Sequence, residues 1–199
     1  MRGASRRQWG WRIMIGYALT GSFCTFSRSI SVLSGLVSSG EEVLPIMSET
    51  AYTTDTRFGT AADFVSRIEE ICGRKVIHTV RDAEPLGPKA PLEALIIAPC
   101  TGNTLAKLAS GITDTAVTMA AKAHLRQDRR LIIALSSNDA MSQNLGNISR
   151  LLTRRSVYFV PLLQDDIAAK PHSLVAELER IPEALAAARE GRQLRPLFL

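Results

Sequence analysis

At 199 residues, 46% hydrophobic and 22% charged, the chain has the size and composition of one globular domain, which excludes disorder, coiled coil and collagen-like repeat as whole-chain descriptions. Its net charge of +5 overstates its basicity: Arg2, Arg6, Arg7 and Arg12 supply +4 with no acid among them, so the body is nearly neutral and shows no basic footprint for nucleic acid. Three scattered cysteines and three scattered histidines make neither a disulfide framework nor a metal-ligand spacing, and the longest apolar stretch, Ile13 to Phe26, is 14 residues against the roughly 20 that span a membrane.

Residues 1–13 read as a basic extension ahead of a domain covering 14–199, or as sequence upstream of a true start at Met14. Ser5-Arg6-Arg7-Gln8-Trp9 resembles a twin-arginine export signal, but no small-x-small cleavage site follows it.

From there strand-like and helix-like segments alternate. Ile13–Leu19 reads as a strand ending in the turn Thr20-Gly21-Ser22, and Ser29–Ser39 carries Ile30, Leu33, Leu36 and Val37 at helical spacing. Glu42–Met47 is a second strand. Thr60 caps a helix whose stripe is Phe64, Val65, Ile68, Ile71 and Cys72, stopped by Gly73. Val76–Val80 reads as a short third strand before a proline-rich loop at 84–91. Leu92–Ala98 and Leu131–Leu135 are continuous apolar runs, as expected of strands buried on both faces. Between them Asn103–Ser110 and Thr115–Arg126 are helical. Met141, Leu145, Ile148 and Leu152 form a further helical stripe, Val157–Val160 reads as the last strand, and Ser173–Glu190 as helix broken or restarted at Pro182. This alternation predicts an α/β fold, a three-layer Rossmann-like parallel sheet with helices on both faces. Ligands of such sheets bind at the carboxyl ends of the strands.

Four strand-end loops therefore carry the candidate chemistry. Thr20, Gly21 and Ser22 combine a tight turn, hydroxyls and a helix N-terminus, which suit a phosphate; there is neither a GxGxxG nor a Walker lysine. Ser48 opens the second loop, which runs on to Asp55-Thr56-Arg57-Phe58-Gly59; Arg57 either clamps a carboxylate or pairs with Asp55 or Asp63. The third loop is Pro99-Cys100-Thr101-Gly102-Asn103-Thr104, in which the Asn103 amide can read a heterocycle edge and Cys100 reads as buried thiol rather than nucleophile. The fourth is Ser136-Ser137-Asn138-Asp139. Hydroxyls and amides line all four, with no acid pair and no metal set, which suits a bound cofactor better than hydrolysis.

Together these loops resemble the flavoprotein superfamily of phosphopantothenoylcysteine decarboxylases, peptidyl-cysteine decarboxylases and flavin prenyltransferases, in which a Thr-Gly-Ser turn follows the first strand and a Pro-Ala-Ser-Ala-Asn-Thr-like loop a middle one. The runs Leu19-Thr20-Gly21-Ser22-Phe23-Cys24-Thr25, Ala83-Glu84-Pro85-Leu86-Gly87-Pro88-Lys89, Met119-Ala120-Ala121-Lys122-Ala123 and Gln164-Asp165-Asp166 are similar, more narrowly, to the family of dipicolinate synthase B subunits. That resemblance implies a flavodoxin-like fold, FMN held by Thr20, Gly21, Ser22, Ser48, Thr101, Gly102, Asn103, Thr104, Ser136 and Ser137, and no metal. It implies oxidation of a dihydrodipicolinate-type dicarboxylate, with Arg57 and Asn103 at the reacting centre and Lys89 and Lys122 behind Arg57. It also implies a partner A subunit that binds NADP, a homo-oligomer, and a cytoplasmic place in the mother cell of a sporulating bacterium. The alternatives are a flavin-dependent decarboxylase of a cysteine-derived substrate, which would need a histidine near the second loop, and a non-catalytic stabilising subunit.

Overall fold

Parallel strands need long crossovers, and this chain supplies them with helices. The structure, a computed structural model, describes residues 14–87 and 92–199; the basic extension 1–13 and Lys89 lie outside the described residues. Strands β1 (Met14–Leu19), β2 (Glu42–Met47), β3 (Leu92–Cys100), β4 (Arg130–Ser137) and β5 (Val157–Phe159) are parallel in the order β2-β1-β3-β4-β5. A hairpin of β6 (Leu162–Leu163) and β7 (Leu174–Ala176) adds to the far end of β4, where Val175 and Leu174 pair antiparallel with Ser136 and Ser137. The expected fold class is the observed one, with that hairpin as an addition.

The helices are α1 (Phe26–Ser38), α2 (Glu49–Thr53), α3 (Ala61–Cys72), α4 (Val80–Ala83), α5 (Gly102–Ser110), α6 (Ala116–Leu125), α7 (Leu145–Leu152) and α8 (Ile181–Arg189). They pack on both faces, with α8 against β4 and β5 and with α5, α6 and α7 as one group. Five of them start at a Ser or Thr whose side chain accepts from the backbone N–H three residues on: Ser48, Thr60, Thr79, Thr101 and Thr115. The core is the two faces of β1, β3 and β4; Leu95, Ile96, Ile97, Ile132 and Ile133 are fully buried. Gly16 is needed in β1 because a Cβ there would come within 2.7 Å of the Leu92 and Leu95 side chains.

Three expected elements differ. The stripe of Met141, Leu145, Ile148 and Leu152 does not form as one, because Met141 lies in the turn before α7 and Leu145 is 50% exposed. Val76–Val80 is not a strand: only Ile77 bridges β2, exchanging bonds with Pro45 and Met47, and Thr79 then caps α4. A Thr-x-x-Asp cap outweighs the β propensity of the flanking valines. Ser173–Glu190 is not one helix either. Its first part is β7, and α8 begins with Pro182 in its first turn, because proline inside a helix would clash with the preceding turn.

The strand ends are joined by one buried side chain. Thr20, 1% exposed, donates its hydroxyl to Pro99 O at 2.8 Å and accepts from Thr101 N at 2.9 Å, while its own N–H also donates to Pro99 O. At the opposite edge Arg189 forks onto Glu41 at 2.7 and 2.9 Å and reaches Glu93 at 3.0 Å, tying α8 to the starts of β2 and β3. His124 on α6 is buried, and its Nε2 lies 2.8 Å from Arg130 O, so it donates there as a neutral ring. Its Nδ1 is buried without a partner. Burial, assisted by Arg129, lowers the imidazole pKa to about 4, and the bond to Arg130 opposes this only in part.

Both buried groups leave a measurable mark on stability. Thr20→Val should cost about 1–3 kcal/mol in urea unfolding, the range for a buried N–H left without its acceptor, and Thr20→Ser should recover most of it. A Thr20→Val protein as stable as wild type would mean the clasp contributes nothing. For His124, the unfolded ring takes up a proton below pH 6.5 and the folded ring only near pH 4. Stability is therefore held above pH 6.5 and lost as the pH falls toward 4. Wild type should lose about 3 kcal/mol more than His124→Gln across that window, compared by urea unfolding at each pH.

Candidate functional site

The carboxyl ends of β1, β3 and β4 open into a cleft of about 790 Å³. Its first wall is the turn after β1. Ser22 Oγ lies 2.8 Å from Ser136 Oγ at the end of β4, so hydroxyls from two strand ends meet in the cleft. Thr25 secures the turn by donating to Ser22 O at 2.8 Å. The second wall is the start of α5, where Thr101 caps the helix and Gly102 leaves no side chain: a Cβ there would fall 2.5 Å from Ser137 Oγ and 2.6 Å from Asn144 Nδ2. The third wall is the loop after β4. Asp139 accepts from Ser137 and, at 2.9 Å, from Asn144, whose own carbonyl oxygen accepts from Asn147 at 3.0 Å.

Eight of the sequence-derived site residues line this cleft: Gly21, Ser22, Arg57, Thr101, Gly102, Asn103, Ser136 and Ser137. Thr20, Ser48 and Thr104 do not; they sit behind its walls. The Thr20 hydroxyl has spent its one proton on Pro99, Ser48 accepts from Ala51 N as the cap of α2, and Thr104 receives the Thr101 hydroxyl at 3.0 Å. Lys122 is not behind Arg57: it lines a different pocket beside α6. Cys100 is buried, and burial pushes its thiol pKa far up, so it carries no thiolate at neutral pH.

The charges of the cleft are unevenly satisfied. Arg28 makes a two-pronged bond to Glu179 at 2.6 and 3.0 Å, which lowers the Glu179 pKa. Lys170 binds Asp165 at 2.8 Å and, with Ser173, holds that carboxyl below its usual range. Arg57 has no carboxylate partner among the described residues. Its guanidinium lies over the Phe58 ring, 4.9 Å from the centroid. The two acids expected to compete for it are occupied elsewhere: Asp55 accepts from Ala61 N at 2.8 Å and Asp63 from the Thr60 hydroxyl at 2.7 Å. Arg57 is carried at the rim by a tight turn in which Thr56 and Gly59 exchange backbone bonds.

The β6–β7 hairpin contributes Asp165, Lys170, Ser173 and Val175 to the cleft, and none of these has a site role in the sequence reading. The signal was the Gln164-Asp165-Asp166 run, which has no periodicity to place it against β4. Among the described residues no group of three or more His, Cys, Asp or Glu could hold a metal, and no helix is long and apolar enough to cross a membrane.

Residues 5–186 match the Flavoprotein family. The B subunit of dipicolinate synthase from Bacillus subtilis (strain 168) is 41% identical over 185 residues, covering 93% of this chain and 92% of that one. The crystal structure of the dipicolinate synthase B subunit from Bacillus halodurans C superposes with a TM-score of 0.86 at 40% identity, over 94% of this chain and 96% of that one. The FMN-dependent cysteine decarboxylase SpaF shares the fold, with a TM-score of 0.67 at 20% identity over 90% and 97% of the two chains. The chain therefore belongs to the Flavoprotein family and is similar, over more than nine-tenths of its length, to the dipicolinate synthase B subunit.

Proposed function

We propose that this protein is the flavin-binding subunit of a dipicolinate synthase, oxidising a dihydrodipicolinate-type precursor together with an NADP-binding A subunit in the mother cell of a sporulating bacterium. The observation that carries this reading is the similarity to the dipicolinate synthase B subunit over nearly the whole chain. The cleft is consistent with it. Its volume lies in the range of small-molecule sites, and its wall offers hydroxyls, the amides of Asn103 and Asn138 and two glycines, while its two acids, Asp139 and Asp165, are each already bonded within the protein.

The donor set fits FMN. The Ser22–Ser136 hydroxyl pair and the turn at Gly21 would hold the phosphate, with no acidic residue on that turn to repel it. Thr101, Gly102, Asn103 and Ser137 form the opposite wall, where Asn103 can both donate to and accept from a heterocycle edge. One such turn, without a GxGxxG and its acidic ribose partner, favours FMN over FAD. When bound, FMN supplies a two-electron acceptor at the mouth of the sheet. The protein's own part is to bind and orient the substrate. Two of the three cations at the cleft are already neutralised by Glu179 and Asp165, so Arg57 is the one left to receive a substrate carboxylate, in a planar fork that lysine cannot copy. His78 does come near the second loop, stacking on Tyr52 with ring centroids 3.7 Å apart, but no histidine lines the cleft among the described residues, and that disfavours the decarboxylase alternative.

Purified protein incubated with FMN should turn yellow and retain one equivalent through gel filtration, whereas FAD should not be retained. Ser22→Ala should weaken FMN binding by about 1–3 kcal/mol if its hydroxyl meets the phosphate; unchanged affinity removes Ser22 from the site. A second measurement addresses catalysis. With the A subunit present, Arg57→Lys should keep its flavin and its Tm but lose about 10- to 1000-fold in kcat/KM, corresponding to about 1.4–4 kcal/mol of charge-assisted hydrogen bonding. Wild-type turnover in that variant would sink the clamp, and full turnover by flavin-free protein would leave only the stabilising-subunit alternative.

A further inference from the structure

A second pocket lies at the other end of α5 and shares no lining residue with the cleft. It has a volume of about 320 Å³. Leu108 and Leu125 supply apolar surface, Ile112 adds a side chain that is 47% exposed, and Lys122, Arg126 and Arg154 bring three positive charges from two separate elements. No acid lines it, and none of the three cations has a carboxylate partner among the described residues. Thr118, also in the wall, has its hydroxyl committed to the cap of α6.

Three like charges around one small space need an explanation. Helix ends give a partial one, because α5, α6 and α7 all terminate nearby, and each C-terminus carries at most about half a negative charge. That leaves a surplus of at least about one and a half positive charges. The surplus is local. Residues 122–155 hold seven basic residues against two acidic ones, so this stretch alone carries +5, as much as the whole chain. The apolar wall narrows the ligand further, since a hydrated inorganic ion gains nothing from leucine and isoleucine.

We propose that this pocket binds a small organic dianion: two negative charges, as a phosphate monoester or a pair of carboxylates, on an apolar body that rests on Leu108, Ile112 and Leu125. The proposal does not depend on the flavin reading, because it concerns a different pocket.

The test is titration calorimetry of the full chain with phenyl phosphate, phthalate and inorganic phosphate at low salt, where screening is weak. Phenyl phosphate and phthalate represent the two sources of the dianion. At least one should bind saturably, in a one-per-chain step that persists in Arg57→Gln, and about fivefold or more tighter than inorganic phosphate. Lys122→Gln combined with Arg126→Gln should weaken that binding about 10- to 100-fold, and so should Arg154→Gln on its own. All three side chains are exposed, so Tm without ligand should hold in both variants; Arg154→Gln, on a different element, decides the matter if the double variant folds poorly. Arg57→Gln, which removes the free cation of the main cleft, should leave the binding intact. Absence of saturable binding, equal affinity for inorganic phosphate, or loss in Arg57→Gln with retention in the pocket variants would each overturn the assignment.

Discussion

The hydroxyl of Thr20 is the joint on which the cleft depends. It is a side chain at the end of β1 that both donates to and accepts from the segment ending β3, so the turn at Gly21–Ser22 and the loop at Thr101–Asn103 cannot move apart without exposing two buried polar groups. A second layer lies beneath it. Ser29 on α1 donates to Ala98 O at 2.6 Å, and the Tyr17 hydroxyl donates to Ser29 O at 3.0 Å. Burial drives the Tyr17 pKa upward, which keeps it a neutral donor. Because these bonds are shielded from water, each is expensive to leave unmade. The two walls of the cleft are thus one body before any ligand arrives, which lowers the ordering cost of binding.

What the sequence could and could not reveal follows from the range of each signal. The buried parallel strands are legible because Leu92–Ala98 and Leu131–Leu135 are long apolar runs, and the strand-end loops are legible because topology puts ligands there. Hydroxyl direction is not legible. Thr20, Ser48 and Thr104 look the same in sequence as Ser22 and Thr101, yet a residue or two along a turn decides whether an oxygen faces the cleft or serves the backbone. Lys122 shows the same limit on a helix, where 3.6-residue periodicity fixes the face but not which pocket that face meets. The β6–β7 hairpin escaped because strands of two and three residues are too short for any period, and Leu174–Ala176 merges with the pattern of the helix after it.

The cleft gains selectivity from how its charges are paired. Glu179 and Asp165 each neutralise a neighbouring cation, and Asp139 is held by Ser137 and Asn144. An arriving anion therefore meets one unpaired positive charge, at Arg57, and one carboxylate, Asp139, that is held by neutral donors and keeps its charge. Contact with the Phe58 ring holds that guanidinium without cancelling its charge, and Asp55 and Asp63 are bonded elsewhere. A fully paired Arg57 would leave the cleft without a free positive charge, and three free cations there would fix no single position for a carboxylate.

That contrast also separates the two pockets. The cationic pocket and the cleft stand at opposite ends of α5, a helix of nine residues and hence about 13 Å long. Screening at physiological salt reduces exposed charges beyond about 8 Å to a weak influence, so the surplus charge near Lys122 does little to steer ligands into the cleft. A link between the two ends would have to be mechanical, and α5 is supported differently at each. Its first residue, Gly102, is packed against Ser137, Asp139 and Asn144 so closely that a methyl group would not fit. Its far end is closed by the left-handed Gly111, with Ile112 N bonded back to Lys107 O at 2.9 Å. The start of α5 is thus fixed against the loop after β4, whereas its far end is closed by its own backbone, so the two pockets rest on different supports.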